Sequence, residues 1–281
     1  MTSSLTNSIA LVTGASRGVG KGVALGLGEA GASVYVTGRS AVDMQDAGKL
    51  GGTPAATAEL VSAAGGKGIA ILCDHTKDED TVAAFEQIRR DSGRLDILVN
   101  NAWAGYENMF EAGKFTYANR FWEQAFWRWD AMFDAGVRAA YTSAAHAARL
   151  MTQQKSGLIV NISYWSAQRY INNTAYGVAK AAIDKMTEYM ALELRPYDVA
   201  VVSLYPGLVR TESVMRSAEY FDLSNSESPQ FIGRAVAALA RDPQLMSKSG
   251  KIVTAAELGL EYGFTDLDGS QPRPLTASSA V

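Results

Sequence analysis

Seven short apolar runs, most of them separated by longer stretches with helical spacing, constrain this 281-residue chain more than any other feature. They are IALVTG (9–14), SVYVTG (33–38), GIAILC (68–73), LDILVN (95–100), GLIVNIS (157–163), VAVVSLY (199–205) and KIV (251–253). Runs this rich in Val, Ile and Leu suit strands buried on both faces, the situation of a parallel sheet. The segments 20–30, 78–90 and 175–194 carry the spacing of crossover helices. The predicted fold is therefore α/β: a doubly wound parallel sheet of about seven strands with helices on both faces. At 47% hydrophobic, and with no Pro/Ser-rich linker in mid-chain, residues 1–281 read as a single domain.

Three regions interrupt the rhythm. Residues 103–130 hold Trp103, Tyr106, Phe110, Phe115, Tyr117, Phe121, Trp122, Phe126, Trp127 and Trp129. They read as an insertion whose rings, faced by Trp165, either wall an apolar substrate pocket or pack the insertion against the sheet or another subunit. Packing is the expectation for at least half of them. Residues 207–230 follow the sixth run, are polar, and read as a substrate lid. The final stretch DLDGSQPRPLTASSAV reads as loosely ordered.

The stretch VTGASRGVGKG places Gly14, Gly18 and Gly20 between the first strand and the first helix. Glycine there lets the chain turn sharply and lets a pyrophosphate approach the amides at the helix N-terminus, where the peptide dipoles favour anions. The second strand ends VTGRS, without the carboxylate that would accept a bond from a free ribose 2′-hydroxyl. Arg39 stands where a guanidinium grips a 2′-phosphate, and Arg17 approaches from the glycine turn, although for Arg17 a solvated surface charge is an equal reading. Together they point to NADP(H) rather than NAD(H).

AYGVAKAAIDK (175–185) sets Tyr176 and Lys180 one helical turn apart on one face. A phenol with a pKa of about 10 is a poor proton shuttle near neutrality, but a neighbouring ammonium and an oxidised nicotinamide both favour the phenolate. On spacing alone an ordinary helix-surface pair would be the better reading.

TGASRGVG, NNAW, NIS, YGVAK and YPGLVRT, in this order and spacing, resemble the short-chain dehydrogenase/reductase family over nearly the whole chain. The resemblance implies a Rossmann-type fold, with Tyr176 as acid/base and Lys180 binding ribose while lowering the tyrosine pKa. It also implies a cofactor site of Gly14, Ser16, Arg17, Gly18, Val19, Gly20, Arg39, Asp74, Asn100, Ala102, Tyr176, Lys180, Pro206, Gly207, Val209 and Thr211. In this reading Asp74 contacts adenine, Asn100 and Ala102 line the ribose region, and Pro206, Gly207, Val209 and Thr211 cradle the nicotinamide. The substrate is a carbonyl/alcohol pair, with a bulky hydrophobic ketone or aldehyde the expectation.

Two positions depart from the family pattern. Counting back thirteen residues from Tyr176 makes Ser163 the serine that orients the carbonyl, whereas alignment on the strand puts Tyr164 there; the expectation is Ser163. A slip of one residue reverses the face that a strand side chain occupies. The second departure is Gly136, where the family carries a catalytic asparagine. The expectation is that backbone and a water replace the amide; the competing account is a dinucleotide-binding regulatory or scaffold protein that has lost turnover.

The formal net charge of −3, with charges spread along the chain, offers no basic field for nucleic acid or anionic lipid. The N-terminus lacks a signal pattern, so neither a membrane span nor membrane association is expected. Cys73 is the only cysteine, which suits a cytoplasmic protein. His75 and His146 offer no ligand spacing and read as structural, so no metal is expected. The alanine-rich helices AHAARLM and AYGVAKAAIDKM suit a homodimer or homotetramer.

Overall fold

In the computed structural model, which describes residues 4–43 and 50–279, all seven runs are strands of one parallel sheet. They are β1 (Ile9–Val12), β2 (Ser33–Gly38), β3 (Lys67–Leu72), β4 (Ile97–Asn100), β7 (Gly157–Ile162), β8 (Val199–Tyr205) and β9 (Ile252–Thr254). Their order is β3-β2-β1-β4-β7-β8-β9, so the direction of winding reverses between β1 and β4. A ligand crevice opens at that point, outside the carboxyl ends of the strands. Every residue of β4 and β8 is buried, as strands covered on both faces require.

Helices α1 (Gly18–Glu29), α2 (Pro54–Ala63), α8 (Pro229–Leu239) and α9 (Ala255–Tyr262) cover one face and enclose one core cluster. Helices α3 (Asp78–Ser92), α5 (Ala139–Gln154) and α6 (Thr174–Leu194) enclose the other. The ends of α3 follow from its sequence: Asp78, Glu79 and Asp80 sit in the first turn, Arg89 and Arg90 in the last, and Gly93 closes it in the left-handed region. Helices α1 and α8 meet through glycine, since a Cβ on Gly26 would lie 2.5 Å from the Gly233 carbonyl carbon. Among the described residues no helix is long and apolar enough to cross a membrane.

The insertion is built differently from its aromatic content. It contains a two-stranded hairpin, β5 (Phe110–Glu111) and β6 (Lys114–Phe115), turned by Ala112 and Gly113, both at positive φ. Helix α4 (Trp127–Met132) then runs into a π-helical segment, Phe133–Arg138, that leads into α5.

Segment 207–230 is tied at several points. Val209 bridges Glu227, helix α7 (Glu212–Arg216) is capped by Thr211, and Arg210 pairs with Asp266 at 2.9 Å. The stretch from Asp266 is likewise held, against the expectation of loose order. Asp266 is buried and accepts from the Ser228 N–H at 2.8 Å, and Asn225 exchanges bonds with the Arg273 backbone.

Candidate active site

The glycine turn leaves β1 and enters α1 as expected. Gly14 and Gly18 take φ of +62° and +58°, where a side chain is strained. A Cβ on Gly14 would lie 2.7 Å from the Ala102 Cα, so Ala102 packs against the turn itself. A Cβ on Gly20 would lie 2.3 Å from the Asn101 amide nitrogen, which donates to the Thr13 and Gly14 carbonyls. The Gly18 N–H already holds an anion: it donates to Glu212 Oε2 at 2.9 Å, with Lys21 3.8 Å from the same carboxylate. Backbone that receives a carboxylate at a helix N-terminus fits a pyrophosphate.

The other expected cofactor residues stand at or after the carboxyl ends of β1, β2, β3, β4 and β8. Ser16 and Val19 sit in the turn and the first turn of α1, partly buried. Arg17 donates to the Leu50 carbonyl at 2.9 Å. Arg39, at the end of β2, forms an ion pair with Glu107 of the insertion. Burial raises the Asp74 pKa, but two bonds from Thr76 and the charge of Arg39 outweigh it and hold the carboxyl below its ordinary range. The Asn100 side chain points into the protein, where it donates to Asn161 at 2.8 Å and to the Ala140 carbonyl at 3.2 Å. Its place in the crevice is therefore by backbone alone. Pro206 follows β8, Gly207 donates to the buried Glu227 at 2.7 Å, Val209 bridges Glu227, and the Thr211 methyl lies against Gly18. Burial lifts the Glu227 carboxyl to about 7.

Tyr176 and Lys180 are buried on one face of α6. Asn173 caps this helix by accepting from the Tyr176 N–H at 2.9 Å, and its amide donates to the Tyr117 carbonyl at 2.7 Å and to Gln124 at 3.1 Å. One buried side chain thus fixes the start of the helix and the insertion against it. Lys180 Nζ donates to the Ile162 carbonyl at 3.1 Å. Burial lowers its pKa to about 8 against the opposing charge of Asp184.

Four aromatic rings surround Tyr176: Trp103 at 5.6 Å, Tyr106 at 5.8 Å, and Tyr117 and Tyr164 each at 6.4 Å. The phenols of Tyr176 and Tyr106 are close enough to influence each other's ionisation. Burial, then the neighbouring Tyr106 and Tyr117, push the Tyr176 pKa well above its ordinary value. The lowering expected from Lys180 includes the charge of an oxidised nicotinamide, and in the protein alone burial outweighs the lysine. The ammonium is 5.8 Å from the phenol ring and directed elsewhere, while the apolar enclosure disfavours the phenolate directly.

Ser163 and its alternative, Tyr164, face different partners. Ser163 is buried at the end of β7, but its hydroxyl is directed to the Lys180 carbonyl at 3.3 Å. Tyr164, the next residue, is the one that packs beside Tyr176. Alternation along the extended chain makes the two exclusive.

The slot at Gly136 is taken by a side chain of the insertion. The Trp103 indole fills it, and a Cβ on Gly136 would lie 2.5 Å from its Cζ3.

Of the insertion aromatics only Trp103, Tyr106 and Tyr117 reach Tyr176. Phe110, Phe121, Trp122 and Phe126 are exposed, and Trp165 packs on Tyr205 at 5.2 Å instead of facing the insertion. Two contributors, Asn173 and Glu212, went unnoticed in the sequence. The spacing Asn173-x-x-Tyr176 is a helix-start signal that marks the first; nothing local marks the second. His75 is held between Thr37 (2.8 Å), Thr81 (3.3 Å) and Ser143 (3.5 Å), and burial lowers its pKa to about 4.

The family pattern for short chain dehydrogenase matches residues 8–220. Dehydrogenase/reductase SDR family member 1 of Mus musculus is 38% identical, with 96% of this chain and 86% of that protein covered. Among solved structures, a short chain dehydrogenase of Mycobacterium thermoresistibile superposes with a TM-score of 0.81 at 25% identity, covering 99% of this chain and 95% of that one. A 7α-hydroxysteroid dehydrogenase in complex with NADH and 7-oxo glycochenodeoxycholic acid does so at 0.74 and 25% identity, covering 96% and 97%. The glycine crevice at the winding reversal and the Tyr176–Lys180 face thus lie in a chain matched in sequence and in fold over nearly its whole length: it belongs to the short-chain dehydrogenase/reductase family and is an NAD(P)-dependent oxidoreductase of carbonyl and alcohol groups.

Proposed function

We propose that this enzyme exchanges hydride between NADP(H) and a bulky hydrophobic ketone or aldehyde, with Tyr176 as its proton donor and acceptor. The observation that carries the reading is the aromatic enclosure of Tyr176 by Trp103, Tyr106, Tyr117 and Tyr164. Walls of this kind with a few phenolic hydroxyls suit an apolar carbonyl compound. The relative bound to a 7-oxo bile acid supports the same class.

Bound in the crevice, the dinucleotide supplies or accepts the hydride. Burial keeps the Tyr176 phenol protonated, the form that donates to a carbonyl oxygen. Lys180, an ammonium at neutral pH, stabilises the phenolate left behind. Tyr164, rather than Ser163, is the hydroxyl we assign to orient the carbonyl. The Tyr106 ring, 5.8 Å from that of Tyr176, borders the place that we assign to a substrate oxygen.

The NADP(H) preference rests on Arg39 and on the lack of a carboxylate at the end of β2. Segment 207–230, which carries both the nicotinamide cradle and Glu212, is our choice for the lid. Exposed Tyr141 on α5, with Val178, Tyr189 and Leu192 on α6, supports a homodimer or homotetramer built on these helices. A buried free thiol at Cys73 is in keeping with the cytoplasm.

The test is NADPH oxidation, followed at the nicotinamide absorbance band across a panel of aryl and alicyclic ketones and aldehydes. The wild type turns over members of the panel, and Tyr176→Phe lowers kcat by at least about 100-fold, the span of one general acid. Full rates in the variant would refute the role of Tyr176.

A further inference from the structure

Gly136 and Trp103 are two halves of one arrangement. Gly136 is buried in the π-helical segment, and any Cβ there would fall 2.5 Å from Trp103 Cζ3 and 2.7 Å from Cε3. Gly105 is bounded by the same ring, since its Cβ would lie 2.6 Å from Cζ2. Two glycines thus make room for an indole at one place. That place is beside the acid/base pair: the Lys180 ammonium lies 4.3 Å from the indole centroid, and Tyr176 meets the ring edge-on at 67°.

Space filling alone does not account for a tryptophan here. Its Nε1–H is buried without a partner, an unmet donor that phenylalanine would not carry. What indole offers above other rings is the strongest π face for a cation. Lys180 needs one. It is buried and donates to the Ile162 carbonyl, with Asp184 as the carboxylate that raises its pKa.

We propose that Trp103 is a positioning residue for catalysis: its π face holds the Lys180 ammonium beside Tyr176, in the slot that Gly136 leaves open. The inference rests on the assignment of Tyr176 and Lys180 as the reacting pair, and it makes the aromatic insertion, through its first residue, part of the proton-transfer machinery. Trp103 acts through Lys180 and transfers no proton itself.

The experiment compares Trp103→Leu, which fills much of the slot without a π face, with Trp103→Phe, which keeps one. Ionisation of Lys180 is followed by NMR titration of the protein carrying ε-13C-lysine, and kcat, KM and the pH profile are measured with NADPH and a carbonyl substrate from the panel. Loss of the face is expected to move the Lys180 midpoint down by about one unit and to cut kcat by about 10- to 100-fold, with KM changed less than about 3-fold. The basic limb of the kcat profile should move down with it, and Trp103→Phe should restore most of both. Equal behaviour of Leu and Phe, or a Lys180 midpoint that neither variant moves, overturns the proposal. Thermal unfolding of each variant separates these results from simple loss of fold. The NMR readout needs no turnover, so a negative carbonyl panel would sink the functional reading while leaving this inference judged on its own.

Discussion

The Glu212 carboxylate accepts a hydrogen bond from the Gly18 N–H at 2.9 Å, which places an anion of the 207–230 segment on the amino end of α1. A dinucleotide pyrophosphate needs the same amide and the same dipole field. Cofactor binding is therefore expected to compete with Glu212. Glu212→Gln removes the competing charge and should tighten NADPH binding by about 2- to 5-fold, the range of a charge–dipole contact near a helix end. Isothermal titration checks this, and unchanged or weaker binding would count against the competition.

A second competition links Arg39 to Glu107 across the crevice. On the proposed reading, a 2′-phosphate on the ribose would replace the carboxylate with a bidentate partner of greater charge. Arg39→Ala should weaken NADPH binding by about 10-fold or more while leaving NADH within about 2-fold, since only the former brings a phosphate to the guanidinium. Glu107→Gln should favour NADPH. Equal affinities for the two cofactors in the wild type would remove the assigned preference.

Tyr164 and Ser163 make opposite forecasts. The Ser163 hydroxyl is directed to the Lys180 carbonyl, while the Tyr164 ring stands 6.4 Å from that of Tyr176. Tyr164→Phe should lower kcat by about 100- to 1,000-fold, as loss of one hydrogen-bond donor to a developing oxyanion does. Ser163→Ala should cost less than about 5-fold, by loosening the backbone behind Lys180. Steady-state kinetics of both variants decide; a severe loss confined to Ser163→Ala would return the role to the serine.

His75 makes stability depend on pH. Burial, opposed by Asp74 and Asp80, lowers its folded pKa to about 4, against about 6.5 for the unfolded chain. Between those values the unfolded state binds the extra proton, so stability falls as pH drops from about 6.5 toward 4. The loss from this residue is about 2 kcal/mol at pH 5, from the linkage relation. Denaturant unfolding at pH 7 and pH 5 should show a difference that shrinks by about this amount in His75→Gln.

Sequence alone determined the sheet, because strands buried on both faces must be written as unbroken apolar runs such as VAVVSLY, whatever packs on them. It determined the glycine turn for a similar reason, since positive φ at Gly14 and Gly18 is a local demand on residue type. The Tyr176–Lys180 face follows from helical spacing.

Tertiary structure decided everything that depends on contacts between distant segments. Residue type does not say which ring of 103–130 turns inward; Trp103 and Phe126 differ because one meets Gly136 and the other meets solvent. Ser163 and Tyr164, one step of alternation apart, turn to Lys180 and Tyr176 respectively, a difference that counting along the chain cannot phase. Glu212 reaches Gly18 across 194 residues, and Glu107 reaches Arg39 across 68. The surroundings of Tyr176 belong to the same class: spacing offered a lysine beside it, while the phenols that bury it and push its pKa up gather only once the insertion has folded over α6.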